Sequence, residues 1–306
     1  MPELPEVETV ARGLQKSVAG RRILSVTLRK TDFIDDPAAL ERELPGRRIA
    51  RVERFGKFML LQLASQQGLS EPREAAAATV SEALLVHLGM TGNLSLHFAN
   101  QPLAKHTHVT LVLDDGRELR YIDPRRFGRM AYLSGETLAT ELTRFGADPL
   151  LVSEEEFAKR ISGSRARIKA LLLDQSVLRG VGNIYADESL WAACIHPAKS
   201  GARLQPQEAS RLRKELQKIL RQAIRMRGST IIDFVDAEGL PGDYQQRHKV
   251  YGREGKNCFR CGARIKRMMV AGRSSHYCPS CQRAGRGIAG PGKKTKRKSR
   301  ARTSKK

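Results

Sequence analysis

The chain has few acidic residues for its many basic ones, 32 Asp and Glu against 55 Lys and Arg, so its formal net charge is +23. Ten of the basic residues lie between Ala284 and Lys306, where there is no Asp or Glu, and the rest of the chain therefore still carries +13. A surplus of this size in the body of a protein indicates a polyanionic partner. Nucleic acid is favoured over a membrane, because no basic amphipathic helix is evident.

Long apolar runs are also missing. No stretch approaches the roughly 20 apolar residues that a membrane-spanning helix needs, and the acidic start of the chain is unlike a signal peptide. We therefore expect a cytoplasmic protein with no membrane partner. The sequence shows no internal repeat, and its 306 residues predict about two domains.

Cysteine is scarce, and four of the five cysteines form two C-x-x-C pairs. Cys258 and Cys261 are followed, after sixteen residues, by Cys278 and Cys281. This spacing predicts a tetrahedral zinc site built from two short knuckles with a hairpin between them, in a reducing compartment. Four thiolates leave no open position for water, so we expect one structural zinc ion per chain. A redox role for the C-x-x-C pairs is the alternative.

The apolar pattern predicts an α+β protein. Val7, Val10, Leu14 and Val18 mark one face of an N-terminal helix. Runs rich in Val, Leu and Ile then predict an antiparallel sandwich of seven strands, at residues 22–29, 49–54, 58–63, 84–88, 108–113, 118–122 and 130–133. After Ser134 the pattern is helical, with helices predicted at residues 167–174 and 184–193 and a long one from Pro206.

The first residues carry a chemical signal. Removal of Met1 would leave Pro2 with a terminal secondary amine, and an α-amino group has a pKa of roughly 7.7–8.0. Such an amine is a nucleophile near neutral pH that can form an iminium intermediate with a carbon at the aldehyde oxidation level. Glu3 is beside it as a possible proton donor, with Glu6 close by. The alternative is a stiff, solvated lead-in to a helix.

Several further residues are of types that contact DNA. Arg125 and Phe127, on a predicted tight turn, suit a wedge beside an unstacked base, although a buried Phe would explain the turn equally. Asn183 follows two glycines and would cap a helix whose free N–H groups face a phosphate, unless this is a plain helix entry. Met90 lies on a glycine-flanked turn where an apolar side chain would protrude, or else it is a core methionine.

Each of three basic residues allows two interpretations, a functional one and a purely structural or solvent-exposed one. Lys57 is a lone cation in an apolar strand context, either a surface lysine or a phosphate or proton-transfer group beside a cleft. His106 precedes a strand and is either a phosphate donor or a structural histidine. Arg273, at the tip of the predicted zinc hairpin, suits insertion toward a phosphate or is a solvated turn residue.

Taken together, these motifs resemble the bacterial formamidopyrimidine-DNA glycosylases, also called 8-oxoguanine DNA glycosylase/AP lyases. The resemblance runs from Pro2 to about Arg283. It rests on four motifs and the finger in family order: Pro-Glu-Leu-Pro-Glu-Val-Glu-Thr, His-Leu-Gly-Met-Thr-Gly, Asp-Pro-Arg-Arg-Phe-Gly, Gly-Val-Gly-Asn-Ile-Tyr-Ala and the four cysteines. Leu4 favours this branch over the related endonuclease VIII branch, which typically has Gly there and prefers oxidised pyrimidines.

The resemblance implies a domain organisation. An N-terminal catalytic β-sandwich domain (2–134) would be followed by a helix–two-turn–helix DNA-binding domain (135–240) and a zinc finger (249–283). Damaged double-stranded DNA would bind in the cleft between them, to a protein expected to be a monomer. Two departures from the family pattern are a surface insertion at Ser65–Ser81 and a disordered basic tail at 284–306, and neither touches a motif.

The resemblance also implies roles for single residues. Pro2 would be the nucleophile and Glu3 the proton donor in sugar opening. Lys57 would donate a proton in β-elimination, and Arg273 would serve δ-elimination and grip a phosphate. The residues that match DNA-contacting positions are His106, Arg125, Arg165 and Asn183, while Met90, Arg125 and Phe127 would fill the gap left by a flipped base. The alternatives are a non-catalytic DNA-binding zinc protein on this scaffold and a related glycosylase for oxidised pyrimidines.

Overall fold

The structure, a computed structural model, describes residues 1–64, 82–231, 234–236 and 239–284. Its helices are α1 (Leu4–Val18), α2 (Pro37–Glu43), α3 (Gly135–Thr143), α4 (Glu154–Ile161), α5 (Ile168–Leu173), α6 (Asn183–Ala192) and α7 (Pro206–Arg225). Its strands are β1 (Ile23–Leu28), β2 (Arg48–Phe55), β3 (Phe58–Ala64), β4 (Glu82–His87), β5 (Asn93–Phe98), β6 (Thr107–Leu113), β7 (Arg117–Ile122), β8 (Arg129–Ser134), β9 (Lys266–Val270) and β10 (Arg273–Tyr277). None of the helices in these ranges is long and apolar enough to cross a membrane.

The N-terminal part is the predicted sandwich. Two antiparallel sheets, with described strands in the orders β1-β6-β7-β5 and β2-β3-β4-β8, enclose one apolar core. All seven predicted strands are present. Strand β5 was not predicted, although its Leu94 and Leu96 alternate with polar residues as a half-buried strand requires. Helices α2 and α3 were not predicted either.

Helix α1 begins at Leu4, three residues before the predicted apolar face begins at Val7. Pro5 is tolerated in the first turn, where its missing N–H would have had no partner in the helix. The Glu6 side chain accepts the backbone N–H of Glu3 at 2.8 Å and closes a capping box. Leu4 is fully buried in the core of the helices that follow the sandwich, so the start of the chain is fixed between the two parts.

The second part is built around α6. From this buried helix, Asp187 accepts hydrogen bonds from the Ser275 hydroxyl (3.0 Å) and the His276 N–H (2.8 Å) of β10. Glu188 accepts the backbone N–H groups of Lys249, Val250 and Tyr251, at 2.8–3.0 Å. Two adjacent carboxylates therefore fix the zinc-finger segment to the helical core.

Lys169 on α5 completes this attachment. Its Nζ lies 2.6 Å from Asp187 Oδ1 and 2.6 Å from the Ser274 carbonyl oxygen, and neither charged side chain is exposed to solvent. Removing one partner of a buried pair leaves an uncompensated charge. We therefore expect Lys169→Met to lower the free energy of unfolding by about 3–5 kcal/mol in urea titrations.

The matched control is Lys199→Met, which breaks the half-exposed pair between Lys199 and Glu208 (2.5 Å, 22% exposed on both sides). A pair of that kind is worth about 1 kcal/mol or less. Equal losses of stability in the two variants would contradict a special contribution from Lys169.

The predicted domain boundaries, 2–134, 135–240 and 249–283, stay a prediction. The Ser65–Ser81 insertion lies outside the described residues, as does the predicted tail apart from Ala284.

Candidate functional site

A cleft of about 520 Å³ lies where the start of the chain, the sandwich, α6 and the finger meet. Seven of the predicted site residues line it: Pro2, Glu3, Lys57, Met90, Arg125, Asn183 and Arg273. Three others, all within the described ranges, do not: His106, Phe127 and Arg165. The fold thus brings together residues from six separate segments, and it supplies the cleft that the residue types had suggested.

Glu3 is a buried carboxylate in the wall of the cleft. It is 3% exposed, and its oxygens accept the backbone N–H groups of Ile184 (3.0 Å) and Tyr185 (3.4 Å) at the start of α6. Burial raises the pKa of Glu3 above its usual range, while the charge of Lys57 and the two N–H groups oppose that rise. Pro2, directly before it, is buried in the same wall.

The expected cap of α6 is wrong. Gly182 occupies the N-cap position and Asn183 is the first helical residue, while the free N–H groups bind Glu3 instead of a phosphate. Gly182 permits this approach because a Cβ there would lie only 2.2 Å from Glu3 Cδ. Asn183 still lines the cleft, with its amide oxygen buried and without a hydrogen-bond partner in the described part of the protein.

Glu6 forms the floor beside Glu3. Its carboxylate accepts three hydrogen bonds, from the Glu3 N–H (2.8 Å), the Tyr185 hydroxyl (2.5 Å) and the Ser229 N–H (2.7 Å). Burial, together with the negative charge of Glu3, nevertheless raises the pKa of Glu6 to about 7. With a pKa of about 7, the Glu6 carboxyl is partly protonated at neutral pH.

Lys57 is not a surface lysine. It lies on the turn between β2 and β3, is 8% exposed, and lines the cleft near Glu3. Burial lowers the pKa of Lys57, and the negative charge of Glu3 opposes that effect. An amine in such a position can exchange a proton more readily than an ordinary lysine.

The rim carries exposed apolar groups. Met90 is 44% exposed and Phe127 is 55% exposed, which contradicts the alternatives of a core methionine and a buried ring. The Arg125 guanidinium stacks 4.4 Å from the centre of the Phe127 ring. Both turns are fixed by buried Asp123, which accepts the Thr91 hydroxyl (2.6 Å) and the Arg125 N–H (3.1 Å).

His106 and Arg165 have weaker support from geometry. His106 is half-buried at the entrance to β6, in a left-handed backbone conformation (φ 68°), and its carbonyl oxygen accepts the Asp123 N–H at 3.1 Å. Arg165 is exposed on the segment before α5. Their proposed DNA contacts stay predictions.

The finger presents Arg273 to the cleft. Strands β9 and β10 are joined through Ala271 (φ 50°) and Gly272 (φ 70°), the left-handed pair of a tight hairpin turn. Arg273 follows directly, exposed and lining the cleft, and its charge is near enough to depress the pKa of Lys57. The hairpin therefore places a cation, Arg273, in the cleft that also contains Pro2 and Lys57.

The four cysteines fit zinc. The sulfur atoms of Cys258, Cys261, Cys278 and Cys281 all lie within 4.8 Å of one another, and thiolates held at about 2.3 Å from a tetrahedral zinc are about 3.8 Å apart. The Trp191 indole N–H donates to the Cys258 sulfur at 3.4 Å, as thiolate ligands commonly require from their surroundings. The site takes one structural zinc ion.

Part of the cleft was not predicted from the sequence. Tyr185, Ser229 and Tyr251, together with Ile231 and Phe234, contribute to the site or line the cleft. Tyr185 stands within the Gly-Val-Gly-Asn-Ile-Tyr motif and could have been singled out there. Ser229 and Phe234 follow α7 in a segment without any motif, so no signal pointed to them.

Models of protein families match three consecutive parts of the chain, and known relatives match more than nine-tenths of it. The family model "Formamidopyrimidine-DNA glycosylase N-terminal domain" matches residues 1–130, the "Formamidopyrimidine-DNA glycosylase H2TH domain" matches 145–235, and the "Zinc finger found in FPG and IleRS" matches 255–284. The chain is 41% identical over 287 residues to the formamidopyrimidine-DNA glycosylase of Herpetosiphon aurantiacus, covering 92% of this chain and 100% of that one. It is 43% identical over 291 residues to that of Desulforamulus reducens, covering 93% and 100%.

Solved structures agree as well. A Lactococcus lactis Fpg bound to DNA containing Fapy-dG superposes with a TM-score of 0.81 at 33% identity, covering 92% of this chain and 100% of that one. Complexes of the same protein with abasic-site DNA and with DNA containing an oxidised pyrimidine give TM-scores of 0.81 and 0.80, at the same identity and coverage.

Proposed function

The chain belongs to the formamidopyrimidine-DNA glycosylase family, and on that premise we propose that it is a bifunctional DNA-repair enzyme for oxidised purines. It would remove 8-oxoguanine and formamidopyrimidines from duplex DNA and then cut the strand by β- and δ-elimination. The observation that carries this proposal is the convergence of Pro2, Glu3, Lys57 and Arg273 on one cleft. We further propose that it acts as a monomer in the cytoplasm.

The first step would be base release. A damaged base cannot be attacked within the stack, so the nucleotide turns outward at a cost of about a few kcal/mol. Met90, Arg125 and Phe127 on the rim would occupy the space it leaves. The Pro2 amine then attacks C1′ and displaces the base, which leaves with the electrons of the C1′–base bond and takes up the amine proton. Glu3 supplies a proton to the sugar ring oxygen, the bond from C1′ to that oxygen opens, and an iminium between Pro2 and C1′ remains.

Strand cleavage would follow from the iminium. The positive charge at C1′ acidifies the C2′ hydrogen, and loss of that proton expels the 3′ phosphate. Loss of a second proton, from C4′, then expels the 5′ phosphate, which leaves a one-nucleotide gap. Lys57, with its pKa lowered by burial, suits proton transfer in the first elimination. Arg273 at the hairpin tip would stabilise the charge on a departing phosphate. His106, Arg165 and Asn183 would add backbone contacts.

The zinc does not take part in the chemistry. The sulfur atoms of the four cysteines are close enough together to hold the ion, and four thiolates would complete a tetrahedral coordination and leave no position for water or substrate. Its role would be to hold the hairpin that carries Arg273. A binder without catalytic activity would account for the finger and the charge, but it leaves two buried carboxylates beside Pro2 unexplained.

Duplex DNA with a single 8-oxoguanine tests the proposal. We expect borohydride to trap one covalent complex per chain, and without borohydride we expect a gapped strand. In competition, the 8-oxoguanine duplex should be processed about tenfold or more faster than one containing thymine glycol, because the pocket contacts differ between the two bases. Preference for thymine glycol would assign the enzyme to oxidised pyrimidines. Failure to nick an abasic site would leave only DNA binding.

A further inference from the structure

A chain of buried hydrogen bonds leads away from Glu6 to a residue outside the cleft. The Tyr185 hydroxyl lies 2.5 Å from Glu6 Oε1 and 3.3 Å from the Ser229 hydroxyl oxygen. The Ser229 hydroxyl lies 3.1 Å from His248 Nε2. All four side chains are less than 9% exposed, so bulk water does not compete for these bonds.

Counting the available protons shows which group donates in each of these hydrogen bonds. Each hydroxyl has one proton to donate, and ionised Glu6 only accepts. The Tyr185 proton therefore points to Glu6, the Ser229 proton to Tyr185, and a His248 Nε2–H to Ser229. In this arrangement each of these protons has an acceptor, and the last donor is the imidazole N–H of His248.

The surroundings keep that imidazole neutral. Burial lowers the pKa of His248 to about 4, and the rings of Tyr244 and Tyr251 pack edge-on against it at 5.8 and 5.6 Å. At the other end, the titratable groups that face Glu6 are Glu3, Lys57 and Tyr185. The negative charge of Glu3 favours protonation of Glu6, while the Tyr185 hydroxyl and the backbone N–H groups of Ser229 and Glu3 favour its ionised form.

Glu6 also binds the opposite wall of the cleft. The Ser229 N–H donates to it at 2.7 Å, and Gly228 packs so closely that a Cβ there would lie 2.6 Å from Glu6 Oε1. The segment that begins at Ser229 supplies Ile231 and Phe234 to the cleft lining. The Glu6 carboxylate thus joins the first residues of the chain, through the Glu3 N–H, to the wall of the cleft that follows α7.

We propose that Tyr185, Ser229 and His248 form a positioning relay that holds Glu6 ionised, and that ionised Glu6 keeps Pro2 and Glu3 aligned with the wall that begins at Ser229. This inference rests on the proposed function for its meaning in catalysis. If Glu6 were protonated, it would turn one O–H toward a ring of donors, and at least one of its three hydrogen bonds would be lost. None of the three relay residues needs to touch the reacting atoms.

The decisive variant is Tyr185→Phe, which keeps the ring and removes one donor to the ionised form. We expect single-turnover base release by the unmodified protein to fall as the pH drops through about 7, the pKa of Glu6. In the variant this acid limb should move upward by roughly one pH unit, since a hydrogen bond to a charged group is worth at least that much. The rate should fall about tenfold at pH 6.5, yet stay within about twofold at pH 9.

Tyr244→Phe is the matched control. It removes a buried hydroxyl from a ring that packs 5.7 Å from that of Tyr185, and we expect it to leave the acid limb unchanged. His248→Leu should move the limb in the same direction as Tyr185→Phe but less far, because two hydroxyls intervene. His248→Gln, which restores an N–H donor, should reverse that shift. Identical profiles for Tyr185→Phe and Tyr244→Phe would overturn the relay.

A second measurement does not depend on activity. The carboxyl carbon of Glu6, labelled with carbon-13, should titrate near pH 7 in the unmodified protein and about one unit higher in Tyr185→Phe. An unchanged midpoint in the folded variant would refute the relay, whatever the enzyme does to DNA. If instead the midpoint moves but 8-oxoguanine DNA is never attacked, the relay stands and the proposed function fails.

Discussion

Retention of Met1 is expected to abolish covalent trapping on DNA, lowering the yield of borohydride-reduced adduct by about a thousandfold or more relative to the chain that begins at Pro2. When Met1 is present, the Pro2 nitrogen is a tertiary amide whose lone pair is delocalised and cannot attack a sugar carbon. Met1 and Pro2 both line the cleft, with Met1 exposed and Pro2 buried, so cleavage between them frees the nitrogen inside the site. The intact mass of the reduced complex, with mapping of the modified residue, measures this directly.

Pro2→Gly provides an intermediate case. The variant should still lose Met1 and offer a terminal amine, but that amine lacks the ring packed into the wall, and we expect strongly weakened trapping. Undamaged duplex of the same sequence should give no adduct with either protein. A full-strength adduct from protein whose Met1 is shown by mass to remain would refute the N-terminal nucleophile.

The candidate nucleophile and the zinc site were predictable because each depends on residues that lie close together in the sequence. A secondary amine beside two carboxylates needs only six residues, and a zinc site needs only two C-x-x-C pairs. Strand positions were likewise evident from short apolar runs between turn residues. Strand β5 was not predicted, although Leu94 and Leu96 alternate in it with the polar residues Ser95 and His97.

The partner of each polar group was not predictable. Asn183 was expected to cap α6 for a phosphate, whereas the helix N-terminus binds Glu3, which is about 180 positions away in the chain. Only the packing of Leu4 into the helical core brings the two together. For the same reason, the network from Glu6 to His248 joins four segments that share no motif.

The exposure of individual apolar side chains could not be predicted from the sequence either. Met90 and Phe127 are apolar, and residues of those types are more often buried than displayed. Their position on the rim depends on Asp123, which lies between the two turns. Its carboxylate accepts a hydrogen bond from Thr91 in one turn and from Arg125 in the other. A buried carboxylate that accepts hydrogen bonds from two loops cannot be recognised before the fold is known.

The second large effect concerns the finger. We expect Cys258→Ser to lose the zinc ion, to weaken binding to damaged duplex by about a hundredfold or more, and to reduce the slope of log affinity against log salt by about one. Cys258 is 3% exposed and packs with Val250 and Ile265 in the small core of the finger. Without the metal, that core is too small to hold the β9–β10 hairpin in place, so Arg273 no longer reaches a phosphate.

Cys194→Ser is the matched control, because it removes the fifth cysteine without touching the metal site. Cys194 is exposed, and its sulfur accepts a contact from the Arg260 guanidinium at 2.7 Å. This variant should keep one zinc per chain by elemental analysis and bind DNA within about twofold of the unmodified protein. The helical part has an apolar core of its own, which includes Leu190, Leu212 and Leu216, so it should still fold in Cys258→Ser. If zinc-free Cys258→Ser bound damaged duplex with unchanged affinity and salt dependence, the metal would not be what places Arg273 in the cleft.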